Sequence, residues 1–251
     1  MEYSGAVEMI VVTRPPRRDR EGCNEMTHSL HLPVRKYKVD PGLQIEWTPQ
    51  KTAFLLVDCD ESSGNRSVVE NPICHSLRLA RSLGMPIVYL YNAIQGVGGP
   101  HDVTRRIHGL HELDNSWKPL NPSYNPLIAP LPVEAVIPKS GKDGFHGTVL
   151  DYYLKTWEVD TIIAVGFHLK SCLFHTCMSA RHHNYRVILL RDCTDSFEFP
   201  DTTDPHNVEG GWMRFVFLRL FETDIGYTST STEFLNSKRM EDGGSRQYDL
   251  Q

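Results

Sequence analysis

An aspartate, a lysine and a cysteine each stand just beyond a short apolar run in this 251-residue chain. Ala53–Val57 (AFLLV) leads into Asp58, Ala135–Pro138 (AVIP) into Lys139, and Thr161–Val165 (TIIAV) through Gly166 towards Cys172. Such runs read as strands buried on both faces of a parallel sheet. An open parallel sheet collects its functional groups in the crevice beyond the carboxyl ends of its strands. One edge would therefore carry a carboxylate, an ammonium and a thiol. Only the thiolate is strongly nucleophilic. The carboxylate can accept its proton, and the ammonium can offset the charge left behind. Cys172 also stands where a helix is expected to begin, so unpaired N–H groups and the helix dipole predict a lowered thiol pKa. The chemistry that follows is acyl transfer. The thiol attacks a carboxamide carbon, an amine or ammonia departs, and water cleaves the thioester.

The elements that would position these groups alternate. Asn71–Leu83 places Ile73, Leu77, Ala80 and Leu83 at helical spacing, and Gly84 follows as a natural C′ residue. Pro86–Tyr91 reads as a second strand. Thr148 is a plausible N-cap for an amphipathic helix carrying Val149, Leu150, Tyr153, Leu154 and Trp157. A helix is expected from Ser171 to about Asn184, a strand over Arg186–Leu190, a helix over His206–Glu222 and an edge strand over Ile225–Tyr227. Repeated strand–helix alternation predicts an α/β fold, a Rossmann-like three-layer sandwich with a mostly parallel sheet and helices on both faces. Residues 1–50 lack sustained periodicity and read as an N-terminal extension, in which Leu30, Leu32, Val34 and Tyr37 offer some apolar surface. Residues 51–235 form the expected domain, and 236–251 a polar C-terminal tail. Residues 96–130 read as a long loop, the kind that covers a site or builds an interface.

Bulk properties exclude several classes. A net charge of −5 argues against a nucleic-acid surface. Only Arg14–Arg20 is locally basic, and it reads as a solvated arm. No apolar run approaches the roughly 18 residues of a membrane span. The patch Ala6–Thr13 makes a poor signal peptide. Cysteines at 23, 59, 74, 172, 177 and 193 form no C-x-x-C pair, which fits a reducing, cytoplasmic setting better than a disulfide scaffold.

Three segments together resemble the isochorismatase-like cysteine hydrolases. AFLLVDCD is similar to that superfamily's first-strand signature, VIPKSGKDGFHGTVLDYYL to its lysine segment, and GFHLKSCLFHTCMSA to its nucleophile turn. The resemblance covers roughly residues 51–235. It implies Cys172 as nucleophile, Asp58 as proton acceptor and Lys139 as third member of the triad. It implies an oxyanion hole from the backbone N–H groups of His168 and Cys172, and a cis peptide at Phe167–His168. It also implies a homo-oligomer, dimer or tetramer, acting on a small amide or ureido substrate with no cofactor. The chain departs from the family's pattern at His168, Leu169 and Lys170, where small residues are usual. It departs again at Asp60, where Gln is frequent. It lacks the Asp-x-His…His metal set of the nicotinamidase branch, which argues against a metal of that type.

Other candidates compete for the same roles. Lys142 rivals Lys139, but strand-end placement favours Lys139. Asp192 and Asp195 could reach the same edge or cap helices. His101, Asp102, His108 and His111 could ligate a metal, although loop histidines more often form polar surface. Phe145, Trp117, Tyr124, Phe167 and Asp60 are candidate pocket residues. Two alternatives to the amidohydrolase stand: a vinyl-ether-cleaving isochorismatase, for which a thiol would be idle, and a catalytically idle binding protein.

Overall fold

The computed structural model describes residues 29–39, 42–61, 65–93, 121–199 and 212–237. Six strands form one sheet: β3 (Thr52–Val57), β4 (Ile87–Asn92), β5 (Ala135–Lys139), β6 (Thr161–Gly166), β7 (Arg186–Thr194) and β8 (Tyr227–Ser229). Their order is β5-β4-β3-β6-β7-β8, and every neighbouring pair is parallel. This is the α/β sheet that the alternation predicts. The chain moves outward from β3 to β4 and β5, then returns to the other side of β3 with β6. The direction of winding therefore reverses between β3 and β6, which places the ligand crevice between their carboxyl ends.

Period-two alternation sorts β3 between two cores. Phe54 and Leu56 face one apolar cluster, while Ala53, Leu55 and Val57 face the other. The first cluster is covered by α1 (Cys74–Ser82) and α5 (Ser231–Ser237), and by a two-stranded antiparallel ribbon of β1 (Leu30–Pro33) and β2 (Gln44–Trp47). The second is covered by α2 (Leu150–Thr156), α3 (Cys172–His182) and α4 (Trp212–Leu220). Residues on both sides of the expected boundary at Lys51 thus share one core.

Two element boundaries move for identifiable reasons. The helix expected from Asn71 begins earlier, at Arg66–Val68, and continues through a π turn over Val69–Ile73 that contains Pro72. Pro72 has no N–H to donate, and the wider turn absorbs that missing bond before α1 resumes regular geometry. At the far edge, a π turn over Phe221–Ile225 shifts the expected strand to Tyr227–Ser229. Gly226 makes the approach possible, because a Cβ there would lie 2.1 Å from the Val187 carbonyl oxygen. Among the described residues, no helix is long and apolar enough to cross a membrane.

Candidate active site

β3 ends at Asp58, whose φ of +48° turns the chain out of the sheet while its N–H still donates to the Leu90 carbonyl at 2.9 Å. Lys139 ends β5, two strands away. Two strand spacings are roughly 10 Å, a gap that the lysine and aspartate side chains close together. Lys139 crosses it beneath the end of β4 and donates to Asp58 Oδ2 at 2.9 Å. It also donates to Asn92 Oδ1 and to the Gly141 carbonyl. Lys139 is 1% exposed and Asp58 2%. Lys142 is exposed, so burial as well as strand-end placement separates the two lysines.

β6 ends at Gly166, where φ is +117° and a Cβ would stand 2.0 Å from the Val57 carbonyl oxygen. Only glycine permits that approach. It lets Phe167 N–H donate to Val57 O at 2.8 Å and carries the next turn across the end of β3. The Phe167–His168 peptide in this turn is cis, where the resemblance placed it. Ser171 N–H closes the turn onto the His168 carbonyl at 2.9 Å, and α3 starts at Cys172. Neither the His168 nor the Cys172 backbone N–H finds a backbone acceptor among the described residues.

The Cys172 thiol is half-buried and lies against the Asp58 carboxylate, whose buried Oδ1 has no nitrogen or oxygen donor among the described residues. Burial raises the Asp58 pKa above the ordinary carboxylate value, and the Lys139 ammonium only partly opposes this. The Cys172 pKa is also raised, first by burial and then by the Asp58 charge, against the pull of Lys139. This corrects the expectation of a lowered thiol pKa. The helix-start groups are present, but desolvation and an adjacent carboxylate outweigh them. At rest the thiol keeps its proton beside a carboxylate able to take it.

Of the candidate pocket residues, Asp60 and Tyr124 come to this edge. Asp60 is buried close enough to Asp58 for its charge to be felt there. It also lines a half-open groove of 430 Å³ with Arg66, Glu70 and Asn125. Tyr124 packs edge-on against Tyr89, and its buried hydroxyl has no hydrogen-bond partner among the described residues. Burial and the charges of Asp60 and Asp58 push its pKa up. Phe145 and Phe167 are both buried. Phe145 stacks on His183 and lies tilted against Tyr185 in the second core, and Phe167 lies in the first. Trp117 and the possible ligands His101, Asp102, His108 and His111 lie outside the described residues. Among the described residues, no three His, Cys, Asp or Glu side chains gather in a way that could hold a metal.

Sequence reasoning missed Asn92. It follows the apolar run of β4 and pairs in register with Lys139. A polar residue at a fourth strand end was the available signal. Asp192, by contrast, serves as a cap: its carboxylate accepts the Ser231 N–H and hydroxyl at the start of α5.

Fold and site together define a doubly wound α/β domain with a buried lysine–carboxylate pair and a thiol at the switch point. The isochorismatase domain model matches residues 52–207, and the chain belongs to that family. It is 25% identical over 189 residues to a ureidoacrylate amidohydrolase of Variovorax paradoxus, covering 70% of each chain. It is 28% identical over 120 residues to an N-carbamoylsarcosine amidase of Arthrobacter, covering 45% of this chain and 44% of that one. Its fold matches a cysteine hydrolase from Pseudomonas syringae pv. phaseolicola with a TM-score of 0.62 and 23% identity, over 78% of this chain and 95% of that one.

Proposed function

We propose that the chain is a cysteine-dependent amidohydrolase that cleaves the C–N bond of a small amide, carbamoyl or ureido compound through a thioester on Cys172. The observation that carries this reading is the Cys172 thiol lying against a buried carboxylate that is itself held by Lys139. The thiol proton passes to Asp58 as sulfur bonds to the substrate carbonyl carbon. Both groups have raised pKa values from burial, so the proton moves between neighbours in a shared low-dielectric setting. The backbone N–H groups of His168 and Cys172 receive the oxyanion. Asp58 then protonates the leaving nitrogen, and the C–N bond breaks. Water adds to the thioester with Asp58 again taking a proton, and the acid is released with the thiol restored. Lys139, bonded to Oδ2, keeps the carboxylate in place.

Relatives named as amidohydrolases support the reaction class. A small vinyl ether offers the thiol no electrophilic carbonyl, which disfavours the vinyl-ether reading. Intact-protein mass spectrometry of acid-quenched turnover over a panel of small amides and ureides tests the proposal. An acyl adduct on Cys172, and its absence in Cys172→Ala, is expected. Full turnover by Cys172→Ala would falsify it.

The reading includes a homo-oligomer. Trp212, Val216 and Leu220 support this, lying exposed at successive i, i+4 positions along one face of α4. Sedimentation at micromolar concentration should give more than one chain per particle, and a monomer throughout would remove that part.

A further inference from the structure

Two residues before the nucleophile, Lys170 sets its ammonium against two aromatic rings. Its Nζ lies 3.5 Å from the centroid of the Phe197 ring and 3.4 Å from that of Phe199. The Nζ atom is shielded from solvent and, among the described residues, has no hydrogen-bond partner. An ammonium in that position would be costly without the two ring faces, whose negative quadrupoles attract it. Phe197 also takes the His168 ring edge-on at 5.4 Å. The same two segments are joined by one backbone bond, from Leu169 N–H to the Asp195 carbonyl at 2.8 Å. Among the described residues, a cation, an imidazole and a backbone amide of 168–170 thus reach 195–199.

The far segment is itself anchored. Asp195 Oδ2 accepts from Asn65 at 3.0 Å, and the Glu198 carboxylate accepts the Met213 N–H at the start of α4. Arg214 donates to the Thr194 carbonyl at 3.0 Å. Lys170 thus reaches from a turn that must present two N–H groups to one acyl oxygen into a framework fixed by a helix.

We propose that Lys170 is a positioning residue: its ammonium, caged by Phe197 and Phe199, clamps the nucleophile turn to the segment after β7 and fixes the His168 and Cys172 N–H groups. For the chemistry of that turn the inference rests on the amidohydrolase reading, but the clamp itself does not. Among the described residues, Glu198 is the charged group whose field reaches the ammonium, and burial pulls the Lys170 pKa below its ordinary value. The clamp should accordingly weaken at alkaline pH, as the cation is lost.

Amide hydrogen exchange at Leu169 in the full chain tests the clamp without any substrate. Lys170→Met keeps the side chain's length and removes the charge, and Lys170→Arg keeps the cation. Relative to the intrinsic rate, Leu169 exchange should rise about tenfold in Lys170→Met and stay near wild type in Lys170→Arg. Phe199→Leu, a change at a half-exposed ring, should reproduce the Lys170→Met result. Wild-type protection should fall with rising pH, while that of Lys170→Arg should hold. Unchanged protection in Lys170→Met, or equal loss in the Met and Arg variants, overturns the clamp. Where the panel yields a substrate, Lys170→Met should lower kcat about tenfold with KM little altered, and Lys170→Arg should restore it. Absence of turnover in the wild type would defeat the amidohydrolase reading and leave the exchange result standing.

Discussion

At the scale of single residues, Asp58 has two opposed effects on Cys172, and one substitution separates them. Its carboxylate is the proton acceptor, and its charge is also a cause of the raised thiol pKa. In Asp58→Asn the charge is gone while Lys139 remains, so the thiolate fraction at neutral pH should increase. Iodoacetamide should then label Cys172 faster than in the wild type, while amide turnover falls by at least about 100-fold for want of the general base. Peptide mapping and a turnover assay on the same preparation check both signs. Labelling and turnover falling together would show that Asp58 acts through the fold and not through the proton. Among the described cysteines Cys172 should label first, because Cys59, Cys177 and Cys193 are buried with thiol pKa values pushed up further. The pH dependence follows from the same burial. Asp58 must be ionised to accept the thiol proton, and its pKa is raised. The acidic limb of kcat/KM should therefore lie above the ordinary carboxylate range. Turnover should increase as pH climbs through that displaced pKa, and a limb at the ordinary Asp value would contradict the burial argument.

At the scale of elements, the strand ends were readable because the runs before Asp58, Lys139 and Cys172 are apolar without alternation, the mark of strands covered on both faces. What the sequence hid are contacts between distant segments. Nothing near Asn92 signals Lys139, 47 residues on, and nothing near Lys170 signals the two phenylalanines beyond β7. Phe145 and Phe167, candidate pocket residues within the motifs, each have their ring in one of the two cores, a placement the sequence does not show. A further long-range contact holds the stretch carrying Tyr124. Arg81 on α1 makes a two-pronged pair with Glu134 at 2.7 and 2.8 Å. It also donates to the Ala129 carbonyl at 2.8 Å and to the Tyr89 hydroxyl at 3.1 Å. Glu134 is buried, so Arg81→Leu would leave a carboxylate with the Leu131 N–H as its remaining donor. We expect a loss of about 3 kcal/mol, the low end for breaking a buried pair because Arg81 is partly exposed. Glu134→Gln should cost less, about 1 kcal/mol, since an amide can keep part of the network. Urea unfolding midpoints order the two variants, and equal midpoints for both and the wild type would mean the pair is energetically idle.

At the scale of the whole molecule, the family's domain and the folding unit do not begin at the same residue. The family match starts at residue 52, and the sequence alone places a boundary at Lys51. Yet Leu30, Leu32, Val34, Ile45 and Trp47 are buried in the same cluster as Phe54, Leu56, Tyr89 and Ile163. Phe234 of α5 lies between the two parts, with its ring 5.6 Å from Trp47 and 6.1 Å from Phe54. The ribbon continues beyond β1, where Arg35 exchanges backbone hydrogen bonds with Thr228 and covers the outer edge of β8. Arg35 also pairs with Glu222, a fully buried carboxylate shared with Arg219 and the Thr228 hydroxyl. Sequence periodicity could not show this, because each strand of the ribbon has only four residues and its partner surface is assembled from β3, α1 and α5. Each of the five apolar side chains contributes about 1.5–3 kcal/mol by burial, so their sum is comparable with a whole domain's net stability of about 5–15 kcal/mol. A chain beginning at Lys51 should therefore fail to fold cooperatively, showing far-UV helix signal without a near-UV aromatic signature. The single change Trp47→Ala should lower stability by about 3–5 kcal/mol, read as an earlier urea midpoint with an unchanged slope. A chain starting at Lys51 that kept the full-length midpoint would show that β1 and β2 are carried by the domain without supporting it.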